Sequence, residues 1–258
     1  METTQTTKRR KIVPMSDMTS EEYGGFLQKR RGEILERVEA AARRAGRDSS
    51  KISMIAVSKT VDIPEVVLAH AAGYQAFGEN RPQELKRKID GLAAYPEMSD
   101  VRFDMIGNLQ TNKINQVLDC DVTLVHSISS SHLAQAVSKR AVARGKHTHA
   151  LLEVNVSGEA SKSGFAPAEL RKAIGGLLEL PGLSIEGFMT MAPAGDMVAA
   201  RRTFSGLREL RDELASSHGM PFKILSCGMS DDFEIAVEEG ATLLRLGRVV
   251  FDPAYALH

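Results

Sequence analysis

The chain has no excess of either charge. Its 33 Lys and Arg balance 33 Asp and Glu, so no global field draws it toward nucleic acid or an anionic membrane, and a small-molecule partner is expected. Cysteine is scarce: Cys120 and Cys227 lie far apart, outside any CxxC or Cys/His spacing. That argues against a disulfide framework or a structural zinc site and fits a reducing, cytoplasmic compartment. No apolar run approaches the roughly 20 residues that span a bilayer, and Met1–Lys11 lacks the apolar stretch of a signal peptide. Residues 1–20 are polar and basic and read as a flexible extension, with Lys8–Lys11 only a weak targeting or nucleic-acid signal. No repeat or low-complexity linker divides the remainder, so 21–258 is expected to be a single domain.

Within that domain, strand-like and helix-period segments alternate, the pattern of an α/β fold with a mainly parallel sheet. Strand candidates are 52–58, 74–78, 101–106, 122–128, 150–156, 184–190, 222–226 and 242–246. Helix candidates are 62–72, 82–94, 110–118, 130–144, 167–179, 197–217 and 231–239, with a further one at 21–45 whose positions Ile34, Val38, Ala41 and Ala45 keep a helical period. Eight strands, each with a helix, favour a (β/α)8 TIM-type barrel over a large open sheet of the same length.

In a barrel, function gathers where strands run into the following loops. The run Ile52-Ser-Met-Ile-Ala-Val-Ser-Lys59 delivers an amine to such a position. A lysine there either snorkels to water, pairs with an anion, or loses its proton and becomes a nucleophile toward an aldehyde. The segment Ser226-Cys-Gly-Met-Ser230 and the Gly247 turn resemble a phosphate nest, in which glycine lets the backbone approach the oxygens. Asp231, Asp232 and Glu234 would repel a dianion there unless turned away, and Asp231 with Glu234 also has the spacing of an ordinary capping box. Lysine at one loop and a phosphate nest at another suggest pyridoxal phosphate held as a Schiff base. Arg245 would then stand near the pyridine nitrogen and disfavour its protonation, weakening the electron sink. The structural alternative for Arg245 is a buried salt bridge to Glu153 or Glu79.

These motifs resemble the pyridoxal-phosphate homeostasis proteins, a family related to the N-terminal barrel of alanine racemase. The resemblance covers nearly the whole chain after the extension. It is carried by Ala56-Val-Ser-Lys-Thr60, Phe77-Gly-Glu-Asn80, Ile106-Gly-Asn-Leu-Gln-Thr-Asn-Lys113, His126-Ser127, Val154-Asn155, Ser157-Gly-Glu-Ala-Ser-Lys-Ser-Gly164, Gly187-Phe-Met-Thr-Met191, Leu225-Ser-Cys-Gly-Met-Ser-Asp-Asp232 and Arg245-Leu-Gly247. It implies a fold-type III barrel with Lys59 as the aldimine lysine and Arg245 near the pyridine nitrogen. Phosphate would be held around Ser226, Met229, Ser230 and Gly247, Asn80 would lie near the ring, and Asn155 and Met189 would line the pocket. Two residues depart from the family's usual pattern: Asp104 stands where a histidine is common, expected on the pocket's outer wall, and Cys227 replaces a methionine. Cys227 reads as a packing residue or a redox-sensitive thiol.

Two functions compete on this scaffold, a carrier of pyridoxal phosphate and a racemase. The related racemases bring a tyrosine from an additional C-terminal domain across a dimer interface, whereas only Val249 to His258 follow Arg248 here. Tyr23, Tyr74, Tyr95 and Tyr255 lie in a leading helix, a strand start, a loop and the tail, none an obvious base. A metal-dependent hydrolase would need ligands at the strand ends, and only His126 is there, His147 and His149 reading as a solvated pair. The expectation is a monomeric, non-catalytic carrier delivering cofactor to pyridoxal-phosphate-dependent apoenzymes, with Ser157–Gly164 a mobile loop at its mouth.

Overall fold

The computed structural model describes residues 18–159 and 162–257. Eight strands run β1 Ser53–Val57, β2 Ala76–Glu79, β3 Arg102–Met105, β4 Leu124–Ile128, β5 Thr148–Glu153, β6 Leu183–Met189, β7 Ile224–Ser226 and β8 Leu243–Leu246. All neighbours pair in parallel, in sequence order, and β1 closes the ring on β8 through Ser53↔Leu243 to Ala56↔Leu246. Parallel neighbours require crossovers. These are the helices α2 Ile63–Ala71, α3 Pro82–Leu92, α4 Ile114–Leu118, α5 Ser131–Ala143, α6 Pro167–Leu178, α7 Met197–His218 and α8 Phe233–Glu238. The expected (β/α)8 barrel is the observed fold.

A leading helix, α1 Ser20–Arg44, packs between α2 and α8, so it covers the seam where the barrel closes. Its start is a capping box: the Glu22 N–H donates to the Thr19 hydroxyl at 3.3 Å, and Glu22 accepts the Thr19 N–H at 2.8 Å. Tyr23, Leu27, Ile34, Val38, Ala41 and Ala42 form its buried stripe. Ala45, expected on that stripe, is instead the exposed C-cap. The extension expected over 1–20 falls mostly outside the described residues, and Ser20 is already helical. A short helix α9, Arg248–Phe251, follows β8, beyond the helices expected from the sequence. Among the described residues no helix is long and apolar enough to cross a membrane.

Two layers fill the bore. Ile55, Leu124, Leu151, Met189 and Leu243 form an apolar cluster of their own, separate from the larger core beneath the helices. Because side chains alternate along a strand, the residues two places on from Leu124, Leu151 and Leu243 share their inward direction one pleat nearer the C-terminal strand ends. Those residues are His126, Glu153 and Arg245, all buried. The bore therefore changes from apolar to polar toward the end that carries Lys59.

Candidate functional site

Beyond β1 the Val61 N–H donates to the Ser58 carbonyl at 3.1 Å, an i to i+3 bond that places the exposed Lys59 at the second position of a turn. The turn rests on a buried cluster. The Ser58 hydroxyl donates to Glu79 Oε1 at 2.6 Å, and Lys88 of α3 donates to the Ser58 carbonyl at 2.6 Å while pairing with the same Glu79 oxygen. Glu79 is thus the partner of Lys88, not of Arg245, as one alternative had it. The helical position of Lys88 gives no signal in the sequence of a buried amine.

Arg245 leaves β8 at the level of Ile55 on β1, four residues below Lys59. It is buried, donating to Ser226 Oγ at 2.7 Å and to the Thr190 carbonyl at 3.0 Å. Burial lowers its pKa, while the charges of Asp232 and Glu153 act in the opposite sense. Glu153 accepts a hydrogen bond from Ser163 at 2.6 Å, so its contribution to Arg245 is long-range charge. Behind Ser226 stands His126, with Nδ1 at 3.0 Å from Ser226 Oγ and Nε2 at 3.0 Å from Asp104 Oδ2. The contact crosses the bore from β4 to β7. Burial lowers the His126 pKa against the opposing pull of Asp104. Asp104, expected on an outer wall, is therefore an inner-wall residue. Ser226, expected to hold phosphate by its hydroxyl, has that group committed to Arg245 and His126, because its place on the strand turns it into the bore.

The turn after β7 keeps the predicted glycine geometry. Gly228 adopts φ +90°, and a Cβ there would lie 2.6 Å from the Ala236 Cβ. Met229 is exposed, with its N–H donating to Asp232 Oδ1 at 2.6 Å. The buried Ser230 accepts the Val249 N–H at 3.1 Å, which ties loop seven to the turn at Gly247. The capping box expected from Asp231 and Glu234 does not form, since α8 starts later, at Phe233. Asp231 pairs with Arg248 and accepts from Tyr255, Glu234 pairs with Arg37 and Arg44, and Asp232 folds back on Met229. Burial raises the Asp232 pKa, the Met229 hydrogen bond opposing it.

Asn80 is half-buried at the end of β2 and packs close to loop three: a Cβ on Gly107 would meet its carbonyl oxygen at 2.1 Å. Asn155 is spent on its own loop, its amide donating to the Glu159 carbonyl at 2.9 Å and to the Lys162 carbonyl at 3.2 Å. Its side chain therefore organises the loop that the sequence placed at the mouth, of which residues 160–161 lie outside the described residues. Lys162 donates to the Met191 carbonyl at 3.2 Å and pairs with Glu159 at 2.5 Å. Met189 belongs to the apolar bore layer and lies opposite Ser226 in the β6–β7 register.

Cys227 is buried, and burial pushes its thiol up to about 12, which supports packing over redox sensitivity. Tyr255 folds back over the loop after β7, its single hydroxyl proton shared between the Ser230 carbonyl at 2.9 Å and Asp231 Oδ1 at 2.7 Å, and burial with the Asp231 bond raises it to about 12. Tyr23 donates to the Phe251 carbonyl at 2.8 Å, and Tyr95 lines a hollow beside Phe103 at the start of β3. His147 and His149 bond Ser184 and Glu186, each at 2.7 Å, on the outside of the sheet.

Lys59 is exposed just beyond β1 and Arg245 is buried on the adjacent β8 of the closed barrel, and residues 31–253 match the family model described as the alanine racemase N-terminal domain. The chain belongs to the family of pyridoxal phosphate homeostasis proteins. It is 40% identical to the protein of that name from Aquifex aeolicus over 220 residues, 84% of this chain and 94% of that one. A solved structure of an unknown protein from Bifidobacterium adolescentis is 37% identical with a TM-score of 0.83, over 91% of this chain and 98% of that one. PipY of Synechococcus elongatus PCC7942, solved with PLP bound, is 32% identical with a TM-score of 0.72, over 84% and 99%.

Proposed function

We propose that this chain binds pyridoxal phosphate at the C-terminal end of its barrel and carries it for delivery, in the cytoplasm, to apoenzymes that depend on it. The observation that carries the reading is the placement of the exposed Lys59 just beyond β1, with Arg245 buried on the adjacent β8. The donor set fits a phosphorylated pyridine aldehyde: one accessible primary amine, a guanidinium with N–H groups beyond those given to Ser226 and Thr190, and a glycine turn beside a second glycine. When bound, the cofactor supplies an aldehyde for an amine and a ring that can accept electrons. Lys59 would hold the aldehyde carbon. Asn80 would lie beside the ring, the backbone around Met229, Ser230 and Gly247 would take the phosphate, and Ser226 would act from beneath through Arg245. Met189 would floor the site and Asn155 would shape its mouth.

Carriage is favoured over racemisation on two grounds. Arginine keeps its proton, so it weakens rather than strengthens the ring as an electron sink. Tyr23 and Tyr255, two candidates for an opposing acid or base, have their hydroxyls committed elsewhere. The names of the relatives support the same reading, and a monomer with an open mouth suits delivery, since a recipient's amine must reach Lys59. The test is incubation of the cofactor-loaded protein with D- and L-alanine and, separately, with a pyridoxal-phosphate-dependent apoenzyme. Activation of the apoenzyme without racemisation supports carriage, whereas racemisation of the order of 1 per second or faster contradicts it.

A further inference from the structure

With Asp104 as a carboxylate and His126 as a neutral imidazole, the chain Asp104, His126, Ser226, Arg245 has one set of proton positions that satisfies every contact. An arginine can only donate, so Ser226 Oγ accepts from Arg245 Nη1 at 2.7 Å. The hydroxyl then has one proton of its own, and His126 Nδ1 stands 3.0 Å away to receive it. That leaves the imidazole proton on Nε2, facing the Asp104 carboxylate at 3.0 Å. The opposite tautomer would set two acceptors against each other at Nε2, and the imidazolium would place a second cation in a bore that already holds Arg245. All four side chains are buried, so water cannot rescue a mismatch.

We propose that Asp104 and His126 are positioning residues for Arg245: the carboxylate fixes His126 as the Nε2–H tautomer, His126 orients the Ser226 hydroxyl, and Ser226 with the Thr190 carbonyl fixes the plane of the guanidinium. The fork is held from the residue after β6 and from β7 while its stem rises from β8. Asp104 also supplies a carboxylate to a relay whose other end is a buried cation. It stands where the resemblance leads one to expect a histidine, so this way of setting the tautomer is a property of the present sequence. The consequence for cofactor affinity rests on the function proposed above, while the tautomer does not.

The experiment has two arms. In the cofactor-free wild-type protein, 15N NMR of the histidine rings, with His126 assigned by its loss in His126→Gln, is expected to show a protonated Nε2 and a bare Nδ1. In the second arm, pyridoxal phosphate is titrated into the wild type and into Asp104→Ala and Asp104→Asn. Asp104→Ala is expected to bind roughly tenfold more weakly. Asp104→Asn, whose amide oxygen can still accept the Nε2 proton, keeps the tautomer and recovers most of that loss. A protonated Nδ1 in the wild type overturns the proposal, as does equal affinity in all three proteins. Failure of the wild type to bind pyridoxal phosphate overturns the cofactor reading instead, and the NMR arm still decides the tautomer.

Discussion

The ammonium of Lys88 lies 2.6 Å from the carbonyl oxygen of Ser58, the residue immediately before Lys59. Through that contact a buried ion pair with Glu79 fixes the turn that presents the exposed amine. Two lysines thus divide the work, one buried and paired, the other at the rim.

Replacing Lys88 by Met leaves the Glu79 carboxylate buried without its cation, and Glu79 Oε2 already has no hydrogen-bond partner among the described residues. The expected loss is about 3–5 kcal/mol in urea unfolding, with much of it recovered in the double variant Lys88→Met, Glu79→Leu. An equal loss in the single and double variants would contradict the pairing.

Stability should fall on mild acidification because of His126. Burial lowers its folded pKa below the ordinary 6.5, so the unfolded chain binds more protons in the window between the two values. The contribution is fully present above the unfolded value and is lost as pH falls through that window. Comparing Tm at pH 7.5 and 5.5, the wild type should lose more than His126→Gln. Glu153 and Asp232, whose pKa values burial raises, contribute with the opposite sign in both proteins and cancel in the comparison.

Gly228→Ala should destabilise the protein by about 1–3 kcal/mol, since it combines a positive φ with a Cβ driven against Ala236. Chemical denaturation checks this, and pyridoxal phosphate titration should show weaker binding as well because the displaced backbone belongs to loop seven.

The two thiols should react on different schedules. Cys120 is partly exposed, whereas Cys227 is buried with its thiol pushed up to about 12. A thiol reagent at pH 8 should modify Cys120 in the folded protein and Cys227 only after unfolding. Prompt modification of both would contradict the packing role.

The barrel was legible because its signals are local. Apolar runs of strand length, alternating with helical periods, locate all eight strands, and the boundaries slip where polar residues enter a strand, as at Thr148 and His149 of β5. The helix after β7 starts later than its acidic residues suggest, because Asp231 and Asp232 bond the tail and the turn instead of capping. Lys59 and Arg245 were legible as long cations at strand ends. The relay behind Arg245 was not, because Asp104 and His126 meet between adjacent strands and His126 reaches Ser226 only across the closed bore, at sequence separations of 22 and 100. Inward parity was the available signal: His126 and Arg245 each lie two places beyond a bore-filling leucine.

The most direct test of the account is where pyridoxal phosphate attaches. Borohydride reduction of the loaded protein followed by peptide mapping should find the pyridoxyl group on Lys59, with a visible absorbance band in the wild type that Lys59→Ala lacks. Label on another lysine with none on Lys59, or a colourless wild type that takes up no added cofactor, would contradict it.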